Sequence, residues 1–421
     1  MLRRYKRMVL ALCVAVSLFL CTGCASTGVA NEGNSNTTNL SMENTPIVDY
    51  EIPTLLPNIL VDEHGYQAEG NKEVAVKGSA LPKKFRLVDA NTQEVVLEGD
   101  IEDNEYNADL KLYTGSITFN EFEKQGAFYL ECDNIGRSLT FHISTTRMSE
   151  QFQELYLEML NRCEANEMSL EDVITVLTAY EWYPSVFADA DADEIPDIME
   201  AMAILMREQM KQEPSAETKA LYTAALAKFS YLYQSYDLDF ANECLQHASV
   251  VFENTQTTMT KDAQRFFALT ELYRATGLYT YRNQISDYST YFAQNSSYLE
   301  EKEYVYGAMT YMSTWHKVDV ALCDIFMENI MDRGEEIANR YKAMIHPITA
   351  KNNGPQDILK RAEELVCANY IMNNYEYNNI LSEYMHYLMG ANNTATCFYQ
   401  LEENKATYFL LLAQLAAGQY E

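Results

Sequence analysis

The chain has 421 residues, enough for two domains, and its 48% hydrophobic and 22% charged residues are ordinary for a globular protein. Its formal net charge is -30, from 61 acidic against 31 basic residues. That balance excludes nucleic acid and other polyanions as partners, because phosphate binding needs clustered Lys and Arg, and it favours neutral ligands.

In chain order, Arg3, Arg4, Lys6 and Arg7 precede an apolar run from Met8 to Leu20 that is too short to span a bilayer comfortably. Cys21-Thr22-Gly23-Cys24 follows and resembles a bacterial lipoprotein signal, with Cys24 as the lipidated residue. The usual Leu of such signals is Cys21 here, so an ordinary signal peptide or an uncleaved anchor stays open. Residues 1–24 are thus expected to be a signal peptide that takes the protein out of the cytoplasm and anchors it by lipid to the outer side of a bacterial cell membrane. Residues 25–56 are rich in Ser, Thr and Asn and read as a flexible tether, since they cannot bury enough apolar surface to fold.

Residues 57–146 have period two. EVAVKG, KFRLVDA, EVVLEG, GSITF, GAFYLEC and SLTFHIS place β-branched and aromatic residues at alternate positions, separated by turn residues such as Gly78, Gly99 and Gly136. Short strands at this spacing predict an antiparallel sandwich of immunoglobulin type. Near Met148 the period changes, and residues 147–421 carry apolar residues three and four apart, as in Ile195, Ile198, Met199, Met202, Leu205 and Met206. This pattern predicts about nine to eleven helices of roughly 10 to 25 residues. No tetratricopeptide repeat is evident, but an open α-superhelix is an alternative to a closed ring.

No cofactor is expected. Cys132, Cys163, Cys244, Cys323, Cys367 and Cys397 form no C-x-x-C pair, and the six His are scattered. Asp189-Ala190-Asp191-Ala192-Asp193 could offer oxygens to calcium, but it lacks the Gly and terminal Glu of an EF-hand and reads as a loop before a helix. No metal is assigned.

Specific residues then suggest a family. Asn58-Ile59-Leu60-Val61-Asp62-Glu63-His64-Gly65-Tyr66 resembles the opening strand of the immunoglobulin-like domain of family 9 glycoside hydrolases, a cellulase type. Leu177-Thr178-Ala179-Tyr180-Glu181-Trp182-Tyr183-Pro184 is similar to that family's L-x-A-Y-E-x-F-P. Glu194-Ile195-Pro196-Asp197-Ile198-Met199-Glu200 is similar to G-I-P-D-L-L-D-E. Glu271-Leu272-Tyr273-Arg274-Ala275-Thr276-Gly277 and His386-Tyr387-Leu388-Met389-Gly390-Ala391-Asn392 follow in the family's order. The resemblance implies an immunoglobulin-like β-sandwich followed by a shortened (α/α)6 toroid-like helical domain. It also implies cellulose or another β-glucan as partner, bound in a groove at one end of the toroid.

The chemistry does not carry over as well. The family's inverting mechanism needs one carboxylate to activate water and one carboxylic acid to protonate the leaving oxygen. The first comes from a D-A-G-D loop roughly twenty residues before A-Y-E, and the interval LEMLNRCEANEMSLEDVITVLT holds no such loop. Glu164, Glu167, Glu171 and Asp172 are the nearby carboxylates, and they read as the acidic start of a helix. The P-H-H-R stretch is also missing after Asn393. Glu403 and Tyr408 can be laid on the acid and the aromatic of the family's N-E-V-A-I-x-Y, which makes Glu403 the candidate general acid. Trp182, Trp315 and Tyr408 are the candidate sugar contacts, since pyranose rings stack on aromatic faces; the core reading competes for each. The expectation is a surface protein of polysaccharide breakdown whose hydrolysis is lost or strongly reduced. The alternative is a divergent endo-β-glucanase using Glu403 and an unrecognised base.

Overall fold

Among the described residues, ten short strands build two facing sheets. They are β1 (Ile59–Leu60), β2 (Tyr66–Gln67), β3 (Glu73–Gly78), β4 (Lys84–Asp89), β5 (Val95–Asp100), β6 (Glu102–Asn107), β7 (Leu112–Thr118), β8 (Gly126–Cys132), β9 (Gly136–Arg137) and β10 (Phe141–Ser144). One sheet has the order β1-β3-β7-β6, the other β2-β10-β8-β4-β5 with β9 on β8. Val76 pairs with Gly115 and Leu87 with Leu130, which aims Val74, Val76, Ile117, Phe85, Leu87, Phe128 and Phe141 into one core. The structure, a computed structural model, describes residues 57–256, 259, 261–342, 354–400 and 404–418. Residues 1–24 with Cys24, expected as a signal peptide, residues 25–56, expected as a tether, and Glu403 lie outside the described residues.

Strand β6 was not expected from the pattern. Its sequence EDNEYN is polar and almost wholly exposed on a sheet edge, so no apolar alternation marks it.

Thirteen α-helices follow among the described residues, more than the nine to eleven that the periodicity predicts. They are α1 (Arg147–Glu164), α2 (Leu170–Trp182), α3 (Asp197–Gln209), α4 (Lys219–Tyr233), α5 (Leu238–Thr255), α6 (Asp262–Thr276), α7 (Tyr279–Ser286), α8 (Ser289–Gln294), α9 (Lys302–Ser313), α10 (Val320–Lys342), α11 (Pro355–Ile371), α12 (Tyr375–Leu388) and α13 (Lys405–Ala417). The surplus comes from α7 and α8, which are too short to show a period.

Helices α2, α4, α6 and α13 are buried nearly all round, which is the mark of an inner helix. Helix α4 packs between α2 and α6, α6 against α9, and α13 against both α11 and α2. The last helix therefore closes on the first inner one, and the helices form an (α/α)6 ring, not an open superhelix. Tyr183, just past α2, donates to Gln414 near the end of α13 at 3.0 Å, so these two helices run parallel.

The sandwich docks on the ring. Leu60 and Ala75 join the helical core, so β1 and β3 are buried on both faces. Fully buried Asp62 meets His386 Nδ1 of α12 at 2.8 Å, and Tyr66 lies 4.5 Å from the His386 ring. Asn71 donates to Glu383 Oε1 at 2.8 Å. Burial first, and then the charge of Glu73, pushes the buried Glu383 carboxyl well above the usual range. A raised folded-state pKa gives stability that is complete below about pH 4.3 and is lost as pH rises. Glu383→Gln is therefore expected to raise the melting temperature. The gain in stability should widen by up to about 1.4 kcal/mol per pH unit above that value. Calorimetry at pH 5 and pH 8 checks it; an equal effect at both would show that Glu383 stays ionised.

Candidate functional site

The parallel inner helices give the ring two ends. The motifs that resemblance assigns to the base and the acid precede α2 and α13, so both belong to the end where the inner helices begin. There α1 stops at Glu164 and α2 starts at Leu170, leaving only residues 165–169 to connect them. Ser169 caps α2, and Asp172 closes a capping box with it while pairing with Arg162 at 3.2 Å. Glu164 at the end of α1, Glu167 on this short turn and Glu171 in the first turn of α2 are exposed.

Other carboxylates at this end are tied to cations. Lys302, the first residue of α9, reaches Glu363 of α11 at 2.5 Å and Thr175 of α2 at 3.1 Å, bridging the ring's interior. Tyr306 donates to Glu363 at 2.5 Å. Lys405 opens α13, pairs with Glu158 at 3.1 Å and lies 4.7 Å from the Tyr399 ring. Tyr408 is 3% exposed and meets Tyr399 edge-on, at 5.5 Å between centroids. Of the proposed pair Glu403 and Tyr408, only Tyr408 is among the described residues.

The opposite end, where the inner helices finish, holds a buried charge network. Lys228 of α4 bonds to Glu181 of α2, approaches Glu271 of α6 at 3.4 Å and donates to the Tyr231 hydroxyl at 3.2 Å. Tyr231 donates to Glu271 at 2.9 Å, as does Thr310 of α9 at 2.8 Å. Arg274 reaches the other oxygen of Glu181 at 2.5 Å and also bonds to Ser313. Burial works to raise the Glu181 carboxyl, but Lys228 and Arg274 outweigh it and hold the group below its usual value. Burial of Glu271 wins over the attraction of Lys228 and raises that carboxyl. Both carboxylates are sealed in the core, so this network braces the ring.

The same end carries the two tryptophans. Trp182 is 9% exposed and stacks on Tyr370 at 4.6 Å and 14°. Trp315 is 62% exposed, with the Arg274 guanidinium 5.5 Å from its ring. The structure thus gathers Trp182 and Trp315 at one end and Tyr408 near the start of α13.

Sequence reasoning took Glu181, Glu271 and Arg274 only as fold matches and missed Lys228. The signal was a charge inside an apolar helix, as in AALAKFSY and FFALTELYRATG, where burial demands a partner.

The acidic run before α3 offers oxygen ligands only. Asp189, Asp191 and Asp197, and likewise Asp191, Asp193 and Glu200, bring carboxylate oxygens within 4.8 Å of one another, a donor set that suits a hard cation. These carboxylates also brace their own loop: Asp189 accepts the N–H groups of Asp193 and Glu194, and Asp197 that of Ala190. Ala192 and Glu194 hold positive φ there.

Two family models match. The cellulase N-terminal ig-like domain covers residues 56–137, and glycosyl hydrolase family 9 covers residues 175–404, more than half of the chain. No curated protein matches. Among solved structures, a metagenome-derived family 9 endoglucanase is 16% identical, with a TM-score of 0.66 over 81% of this chain and 84% of its own. A family 9 protein from Bacteroides ovatus is 13% identical, with a TM-score of 0.67 over 86% and 99%. An endoglucanase from Alicyclobacillus acidocaldarius is 14% identical, with a TM-score of 0.62 over 81% and 83%. At such identities these likenesses establish the fold alone. The family model reaches further, and with the sandwich docked on a closed helical ring it makes this chain a member of glycosyl hydrolase family 9.

Proposed function

We propose that the chain is a lipid-anchored, outward-facing member of family 9 that binds cellulose-type β-glucan and whose hydrolysis is lost or strongly reduced. The observation that carries this reading is the short α1–α2 connection. Inversion needs two carboxyl groups about 6.5–9.5 Å apart with a water between them. Residues 165–169 leave no loop to hold the first, and Asp172 beside them serves as cap and ion pair. Loss of a general base typically costs about a hundredfold to ten-thousandfold in rate. Glu403 alone, as acid, does not make up for it. Residues 1–24 act as the lipoprotein signal, Cys24 carries the lipid, and residues 25–56 hold residues 57–146 and 147–421 away from the membrane.

The test is reducing-sugar release from amorphous cellulose and mixed-linkage glucan, beside retention on the same polysaccharides in affinity electrophoresis. The expected result is retention with no release. Release that Glu403→Gln abolishes would instead establish a divergent endo-β-glucanase with Glu403 as acid. Metabolic labelling with palmitate should mark the full chain and spare Cys24→Ala; equal labelling of both would remove the anchor.

A further inference from the structure

We propose that a β-linked glucan chain docks at the end of the ring where the inner helices finish, on Trp315 and Tyr370, away from the end where the family's catalytic loops converge. The inference rests on the glucan-binding reading above and places its contact surface. Trp182 ends α2, Arg274 and Ser313 lie at the ends of α6 and α9, Trp315 follows α9, and Tyr370 lies at the end of α11.

Two large aromatic rings stay open to water here, with Trp315 62% and Tyr370 38% exposed. Both are held in place from behind. Tyr370 lies flat on buried Trp182, at 4.6 Å between centroids. Trp315 is fixed by the Arg274 guanidinium at 5.5 Å, and the Tyr231 ring meets it edge-on at 6.5 Å. Rings already ordered in the free protein lose little entropy when a ligand covers them, and their apolar faces gain from leaving water.

Behind them lies the sealed charge network, in which two cations, Lys228 and Arg274, offset two acids, Glu181 and Glu271. A backing without net charge suits a neutral ligand, and the overall charge of -30 repels anionic glycans. Arg274 is only 8% exposed and is already bound to Glu181 and Ser313, so its guanidinium backs the Trp315 ring. Two exposed aromatic faces held from behind match the apolar faces of neutral sugar rings.

The chain has 2 Trp, so intrinsic fluorescence reports on the site directly. The full chain is titrated with cellohexaose, and retention is measured in glucan-containing gels. Wild type should shift its emission and be retarded. Trp315→Ala should lose the shift, and its retention should fall about threefold to tenfold. Trp315→Phe should recover part of the retention, and Tyr370→Ala should weaken it. Because Trp315 is exposed, Trp315→Ala should keep the wild-type melting temperature. Wild-type retention that neither alanine variant weakens would overturn this placement and leave glucan binding standing. Absence of retention in wild type would overturn both. A change in sedimentation of Trp315→Ala with unchanged retention would make the patch a contact between protein chains and also overturn it.

Discussion

Lys228→Met is expected to destabilise the fold by about 3–5 kcal/mol, the usual cost of removing one partner from a buried ion network. Lys228 is 2% exposed and holds two acids apart, Glu181 on α2 and Glu271 on α6. Both acids also touch the Tyr231 hydroxyl, Glu181 at 3.3 Å and Glu271 at 2.9 Å. Without the ammonium group, two carboxylates would share one hydroxyl in a low-dielectric interior. Arg274 compensates Glu181 but leaves Glu271 with only hydroxyl donors, Tyr231 and Thr310. The loss should be smaller at pH 5 than at pH 8. Glu271 already has a raised folded-state pKa, so its favourable, protonated form is lost as pH climbs. Denaturant unfolding at both pH values measures this, and Glu271→Gln in the same chain should recover most of it. A cost under about 1 kcal/mol would mean that water reaches the network.

Asp62→Ala should cost a similar amount, about 3–5 kcal/mol near pH 7, by orphaning groups between the sandwich and the ring. Asp62 is fully buried and accepts from His386 Nδ1 at 2.8 Å and from the His64 backbone N–H at 2.8 Å. Burial works to raise its carboxyl, but the bonds to His386 and His64 outweigh burial and hold it below the usual value. A depressed carboxylate contributes stability above about pH 3.9 and loses it as pH falls through the folded-state value. Wild type and Asp62→Ala should therefore converge in stability as the pH drops below about 4 and differ most near neutrality. Thermal unfolding across that range decides it. A constant gap would show that Asp62 acts through packing and not through charge.

Part of the fold was legible because burial leaves a local trace. EVAVKG, KFRLVDA and GAFYLEC show the period of a strand and form β3, β4 and β8. The acidic strand β6 escaped because an exposed edge imposes no apolar alternation. The candidate site was legible only as a deletion. No D-A-G-D stretch stands between Cys163 and Ala179, and in the structure residues 165–169 alone connect α1 to α2.

Which aromatics face water could not be read the same way. Trp182, Trp315 and Tyr408 all stood as candidate sugar contacts, yet Tyr408 is 3% exposed, Trp182 9% and Trp315 62%. The sequence by itself determined the change from sheet to helix near Met148, the family motifs and the absence of a D-A-G-D stretch before Ala179-Tyr180-Glu181, because each is a property of neighbouring residues. Only the tertiary structure decided that the helices close into a ring, that Lys228 joins Glu181 to Glu271, and that Trp315 and Tyr370 stay open at one end. Those outcomes depend on helix ends brought together from distant parts of the chain, and no local period records which side chains such a meeting will cover.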